Sequence, residues 1–242
     1  SGKGGVGKST LSVLLARALA QRSRRVLLVD GAQNQGNLHV LLGLRPAAPL
    51  TALLDREIEP AALPVAAGPG LWLLPAESGN PELHALGRVD RARLHCRLSA
   101  LFDGFDEVVV DGGPGIDSVV RNASIRAERL LVVTVPEPAA LSDAYALIKI
   151  VHLHAPGLPV SVLVNRTRGA DEGAACFERL ELAARRFLAL APDFLGSVAE
   201  DESLRAAALH SRLLEAEVPA SVDAVAASLV ARRADPAEVP SR

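Results

Sequence analysis

Short aliphatic runs without polar alternation recur along this chain, and most lead into segments with helical spacing. The runs are Arg25 to Asp30 (RVLLVD), Leu71 to Pro75 (LWLLP), Glu107 to Asp111 (EVVVD), Leu130 to Val135 (LLVVTV), Val160 to Asn165 (VSVLVN) and Phe194 to Val198 (FLGSV). A strand with one wet face alternates apolar and polar residues. These runs do not, so each reads as a strand covered on both faces. Ser9 to Gln21, Arg91 to Phe102, Ser118 to Arg126, Leu141 to His154 and Glu172 to Leu190 carry the helical period. Strands alternating with helices predict an α/β fold, a mainly parallel sheet flanked by helices on both faces. Ligands of such sheets bind beyond the carboxyl ends of the strands, where Asp30, Asp111, Pro136 and Asn165 fall.

The remaining composition narrows the class. At 242 residues the chain can bury roughly 70–75% of its unfolded surface. No linker divides it, so one domain is expected over residues 1–233, followed by a frayed proline-containing tail over 234–242. The segment from Arg45 to Gly70 is rich in Pro, Ala and Gly, with a short helix expected at Leu50 to Leu54. A net charge of −2 and a pI near 6.3 argue against a dedicated nucleic-acid binder. No apolar run approaches the roughly 20 residues of a membrane span, so a soluble, cytoplasmic chain is expected. Cys96 and Cys176 have neither metal spacing nor a disulfide framework. His39, His84, His95, His152, His154 and His210 form no ligand cluster by spacing, and Trp72 reads as core.

The chemistry begins at the first residues. Gly2-Lys3-Gly4-Gly5-Val6-Gly7-Lys8-Ser9-Thr10 satisfies G-x-x-x-x-G-K-S and opens directly into a helical segment. Its glycines let backbone N–H groups turn inward around a phosphate, and the helix N-terminus adds favourable potential. Lys8 would reach the β- and γ-phosphates, and the Ser9 hydroxyl would ligate Mg²⁺. Such loops normally follow a buried strand, and the sequence contains no methionine, so a first strand is expected upstream of this numbering.

Lys3, five residues before Lys8, gives K-G-G-V-G-K-S-T, which resembles the deviant Walker A motif of the MinD/ParA superfamily. The resemblance continues in Val26 to Asp30, Asn37 to Leu44, Pro136 to Lys149 (PEPAALSDAYALIK), Val164-Asn165-Arg166 and Asp201 to Ala207. These stretches are similar to the flagellar-number regulator branch, FlhG and FleN. Ala199 stands where the last stretch usually has a proline. The resemblance implies an ATPase that binds ATP and Mg²⁺ and forms a nucleotide-sandwich homodimer. In it Lys3 reaches the partner's phosphates. It also implies partners: a second copy, the flagellar GTPase, switch-complex proteins or a flagellar transcription activator. Peripheral membrane contact would need residues outside this sequence, because Ala220 to Arg233 carries few bulky anchors and reads as a packing helix.

Carried over by position, Gly2, Gly4, Gly5, Val6, Gly7, Lys8, Ser9 and Thr10 hold the nucleotide, and Lys3, Lys8 and Asp111 act on its phosphates. Asp111 in Asp111-Gly112-Gly113-Pro114-Gly115 looks like the Walker B carboxylate, so Ser9, Asp30 and Asp111 form the expected metal set. Gly115 would offer its N–H to the γ-phosphate, although Gly112-Gly113 also fits a plain strand-to-helix turn. Asn165 would read the adenine N6 and N7, which an asparagine amide can pair with together, unless it merely caps a strand end. Arg166 would lie beside Asn165 in the nucleotide site, and Val198 to Asp201, with Glu200 among them, would border the base from the other side. Glu137 and Asp143 would lie at the dimer face or simply be solvated.

One departure bears on rate. The family pattern after the strand ending at Asp30 is D-x-D, whose second carboxylate positions the attacking water, but the chain reads Asp30-Gly31-Ala32-Gln33-Asn34. The expectation is tight binding with slow hydrolysis, unless Gln33, Asn34 or Asp117 supplies the missing group. Two other functions compete. A DNA-segregation ATPase would need a basic patch that Arg24, Arg25, Arg121 and Arg126 do not convincingly form. A silent nucleotide-binding scaffold would bind without turnover.

Overall fold

A computed structural model of the chain describes residues 4–31, 38–46, 48, 50–75, 86–112 and 127–234. Helix α1 (Lys8–Ala20) leads into β1 (Val26–Asp30) and the single-turn helix α2 (Leu38–Leu41). After 3₁₀ turns at Leu50–Leu54 and Pro60–Ala62 come β2 (Val65–Gly68), β3 (Leu71–Leu74), α3 (Arg88–Phe102) and β4 (Glu107–Asp111). The second half runs β5 (Leu130–Thr134), α4 (Pro138–His154), β6 (Val160–Thr167), α5 (Ala170–Leu188), β7 (Asp193–Ala199), α6 (Glu202–Leu209) and α7 (Ala220–Ala234).

The aliphatic runs become the strands of two sheets, ordered β2-β3-β1-β4 and β5-β6-β7. β1 pairs in parallel with β3 and with β4, and β6 pairs in parallel with β5 and with β7. One apolar cluster reaches both sheets. It joins Leu28, Leu71 and Leu73 to Val133, Leu163 and Val198 through Val13, Leu14 and Ala16 of α1. Both faces of β1, β3 and β6 are largely buried, which accounts for the lack of alternation in those runs. By contrast, β4 and β7 are mostly half-buried among the described residues and Val110 is exposed, contrary to the expectation that every run is covered on both faces. Of the aromatic residues, Trp72 is half-buried at the edge of a second cluster, edge-on to Phe105 at 5.5 Å.

Several stretches depart from the sequence expectation. β2 is an antiparallel edge strand inside the Pro-, Ala- and Gly-rich segment, made of small residues without β-branching after Val65. Leu50–Leu54 is helical as expected, but of the 3₁₀ kind. α6 arises because the Asp201 side chain accepts the Ser203 and Leu204 N–H groups at its N-terminus. Ala234 closes α7 instead of opening the tail, while residues 118–126, expected as helix, and residues 235–242 lie outside the described residues.

α7 places Val222, Val225 and Ala226 in the core against α1 and β7, so its apolar face serves packing. Among the described residues no helix is long and apolar enough to cross a membrane.

Candidate functional site

The glycine-rich loop owes its shape to two left-handed residues. Gly5 has φ 81° and Gly7 has φ 90°, a region that costs an L-residue roughly 1–2 kcal/mol. Between them Val6 is 2% exposed and packs in the core, which pins the loop at its middle. Gly7 is the N-cap of α1, and its carbonyl accepts the Leu11 N–H at 2.9 Å. Ser9 and Thr10 occupy the first turn, which contains no acidic residue and so leaves the helix N-terminus to an outside anion.

Beside the loop two carboxylates end adjacent strands. Asp30 and Asp111 are register partners across β1 and β4, 4% and 3% exposed. The Gly31 N–H donates to the Asp111 carbonyl at 2.9 Å, which holds the strand ends together. Asp30 Oδ2 accepts the Leu38 N–H at 3.0 Å, while Asp111 Oδ1 is buried with no hydrogen-bond partner among the described residues. A buried carboxylate oxygen without a partner is costly. Lys8 lies close enough to feel this charge. Burial pushes its ammonium below the ordinary lysine range, and Asp111 pulls it partly back. A half-desolvated cation beside an orphaned carboxylate oxygen is a donor set suited to a phosphate and a hard divalent cation.

Asn165 closes the site from β6. Its Nδ2 donates to the Val6 carbonyl at 2.9 Å, across 159 residues of sequence. One amide hydrogen therefore holds the loop, a tie that no spacing in the sequence announces. The neighbouring Arg166 is exposed and left-handed at φ 56°, and the β6–β7 register shifts between Asn165 and Thr167, so Arg166 is a bulge. Thr167 is buried, and its carbonyl accepts the Glu200 N–H at 3.0 Å, while the Glu200 side chain is exposed.

The structure thus brings Val6, Gly7, Lys8, Asp30, Asp111 and Asn165 to one end of the strands, with Gly4, Gly5, Ser9 and Thr10 on the same loop and helix. Gly2, Lys3, Ala32, Gln33, Asn34, Gly115 and Asp117 lie outside the described residues. Glu137 and Asp143 sit at the start of α4, exposed and half-buried respectively.

Comparison with known proteins agrees with this geometry. The chain is 34% identical over 240 residues to the antiactivator FleN of Pseudomonas aeruginosa, covering 99% of this chain and 86% of the relative. It is 29% identical over 238 residues to the flagellum site-determining protein YlxH of Helicobacter pylori, covering 96% and 80%. Among solved structures, the cell division ATPase MinD of Pyrococcus furiosus superposes with a TM-score of 0.72 at 23% identity, covering 96% of each chain. A model of the CobQ/CobB/MinD/ParA nucleotide binding domain matches residues 1–214. With a phosphate loop, paired strand-end carboxylates and a parallel sheet behind them, the chain belongs to the CobQ/CobB/MinD/ParA nucleotide-binding family.

Proposed function

We propose that this protein is an ATP-dependent switch that dimerises around ATP and Mg²⁺ and regulates the number or placement of flagella. The observation that carries the nucleotide reading is the half-buried Lys8, electrostatically coupled to Asp111, whose buried Oδ1 has no hydrogen-bond partner among the described residues. Ser9, Asp30 and Asp111 would hold Mg²⁺, whose charge would neutralise the β- and γ-phosphate oxygens. Lys8 would balance the same phosphates from the loop side, and backbone N–H groups of the loop and of the first turn of α1 would fix their position. The flagellar reading rests on the similarity to FleN and YlxH, which cover nearly the whole chain. The name antiactivator points to a transcription activator as one partner, beside a second copy, the flagellar GTPase or switch-complex proteins.

Dimerisation has a direct test. Lys3→Ala is expected to leave ATP affinity in the monomer nearly intact and to abolish the mass increase that ATP produces in light scattering. Persistent dimers at the same concentration would remove Lys3 from the interface.

Hydrolysis should be slow, because Ala32 has no atom able to orient water or accept its proton. A positioned general base contributes about 10²- to 10⁴-fold. Ala32→Asp is therefore expected to raise the single-turnover rate by at least about tenfold, a conservative share of that range. A native rate equal to that of Ala32→Asp would mean another group has taken over.

A further inference from the structure

We infer that Asn165 is a positioning residue for the phosphate loop, whose amide sets the shape in which the loop receives a triphosphate. This rests on the nucleotide reading and adds to it a role distinct from recognition of the base. Four observations carry it. The Asn165 Nδ2 donates to the Val6 carbonyl at 2.9 Å. The amide passes through the space that a Cβ on Gly7 would fill, 2.4 Å from it, so loop and side chain are fitted to each other. Asn165 is 8% exposed, which shelters the bond from competing water. The strand end that carries Asn165 is itself fixed, by the Arg166 bulge and by the Glu200 N–H donating to Thr167.

The geometry of the peptide unit gives this bond its leverage. In a planar trans peptide the C=O and the following N–H point in opposite directions. Turning the Val6 carbonyl toward β6 therefore turns the Gly7 N–H away from it, and the bond from Asn165 selects that orientation. Without the amide, the orientation of the Val6–Gly7 unit is set only by Val6 ψ and Gly7 φ. The tolerance of glycine at φ 90° lets the unit turn even while the Val6 side chain stays anchored. A loop that samples several shapes binds a phosphate chain more weakly than one already in the binding shape.

The experiment separates loop positioning from base reading. Affinities of the full chain for ATP, GTP and inorganic tripolyphosphate, each with Mg²⁺, are measured by calorimetry for the native protein and for Asn165→Ala. Loss of one buried hydrogen bond should weaken all three by the same factor, about tenfold, and leave the ATP-to-GTP preference unchanged. Asn165→Ser, which keeps a donor on a shorter side chain, serves if Asn165→Ala does not fold, and should lie between the two. Selective loss of ATP with tripolyphosphate unaffected would overturn the inference and make Asn165 a base reader. Unchanged affinity for all three would overturn it as well. If the native protein binds none of the three, the nucleotide reading itself fails, and the inference with it.

Discussion

Gly7→Ala is expected to lose ATP affinity by about a hundredfold or more, whereas Gly5→Ala should lose about tenfold. Both substitutions put an L-residue at positive φ, 90° and 81° respectively, at roughly 1–2 kcal/mol each. The free loop can relax this strain by changing shape, but a loop closed on a phosphate cannot, so the strain reads out as lost affinity. Only Gly7 carries a second penalty. Its Cβ would lie 2.4 Å from Asn165 Nδ2, while at Gly5 no atom of the described residues lies within 4 Å. Moving the amide aside breaks its bond to Val6 and adds about 1–3 kcal/mol, which brings the total to the hundredfold range. Calorimetric titration with ATP checks both variants. Equal losses at the two positions would show that the contact with Asn165 has no part in the effect.

Lys8→Ala is expected to abolish measurable ATP binding and yet to spare the unliganded protein. The binding loss follows from removing the cation that, in the proposed site, would face the phosphates. The sparing follows from the sign of the lysine's shift. Burial disfavours the ammonium in the folded chain, so its folded pKa lies below the unfolded value of 10.5. The resulting destabilisation is present in full below the folded pKa and fades as pH rises towards the unfolded one. Native protein without ligand should therefore gain stability on approaching that alkaline range. Lys8→Met, which keeps the aliphatic stem, should lack this gain and melt no lower than native protein at neutral pH. Thermal melts over a pH series, with and without ATP, give both results. A neutral-pH melt several degrees below native would show that the ammonium stabilises the empty loop.

The strand-forming runs were legible as compact aliphatic stretches, a mark that burial on two faces leaves on β1, β3 and β6. Val26–Asp30 and Glu107–Asp111 sit in register where their terminal carboxylates predicted a ligand edge. The phosphate loop was legible for a similar reason, since a turn built on positive φ admits little but glycine at Gly5 and Gly7. What sequence could not show was long-range. β2 exists because β3 offers it an edge, and its own residues, Val65 to Gly68, carry almost no strand preference. The bond from Asn165 to Val6 joins two stretches that share no period, and only the folded sheet brings them together. Asp201 could have been recognised, because an aspartate two and three residues before Ser203 and Leu204 is a common helix start.

The far end of α1 is held by groups about two hundred residues further along the chain. Arg17 donates to the carbonyls of Leu213 and Ala216 at 2.7 and 2.6 Å, and Arg22 pairs with Asp223, contacts separated by 196, 199 and 201 residues. During synthesis the phosphate loop leaves the ribosome well before the groups that clamp its helix. Loop closure over most of the chain must precede the final seating of α1, a topology that folds slowly. A nascent chain halted before residue 213 would therefore display the glycine loop on a helix that packs on β1, β3 and β4 but lacks the clamps on Arg17 and Arg22.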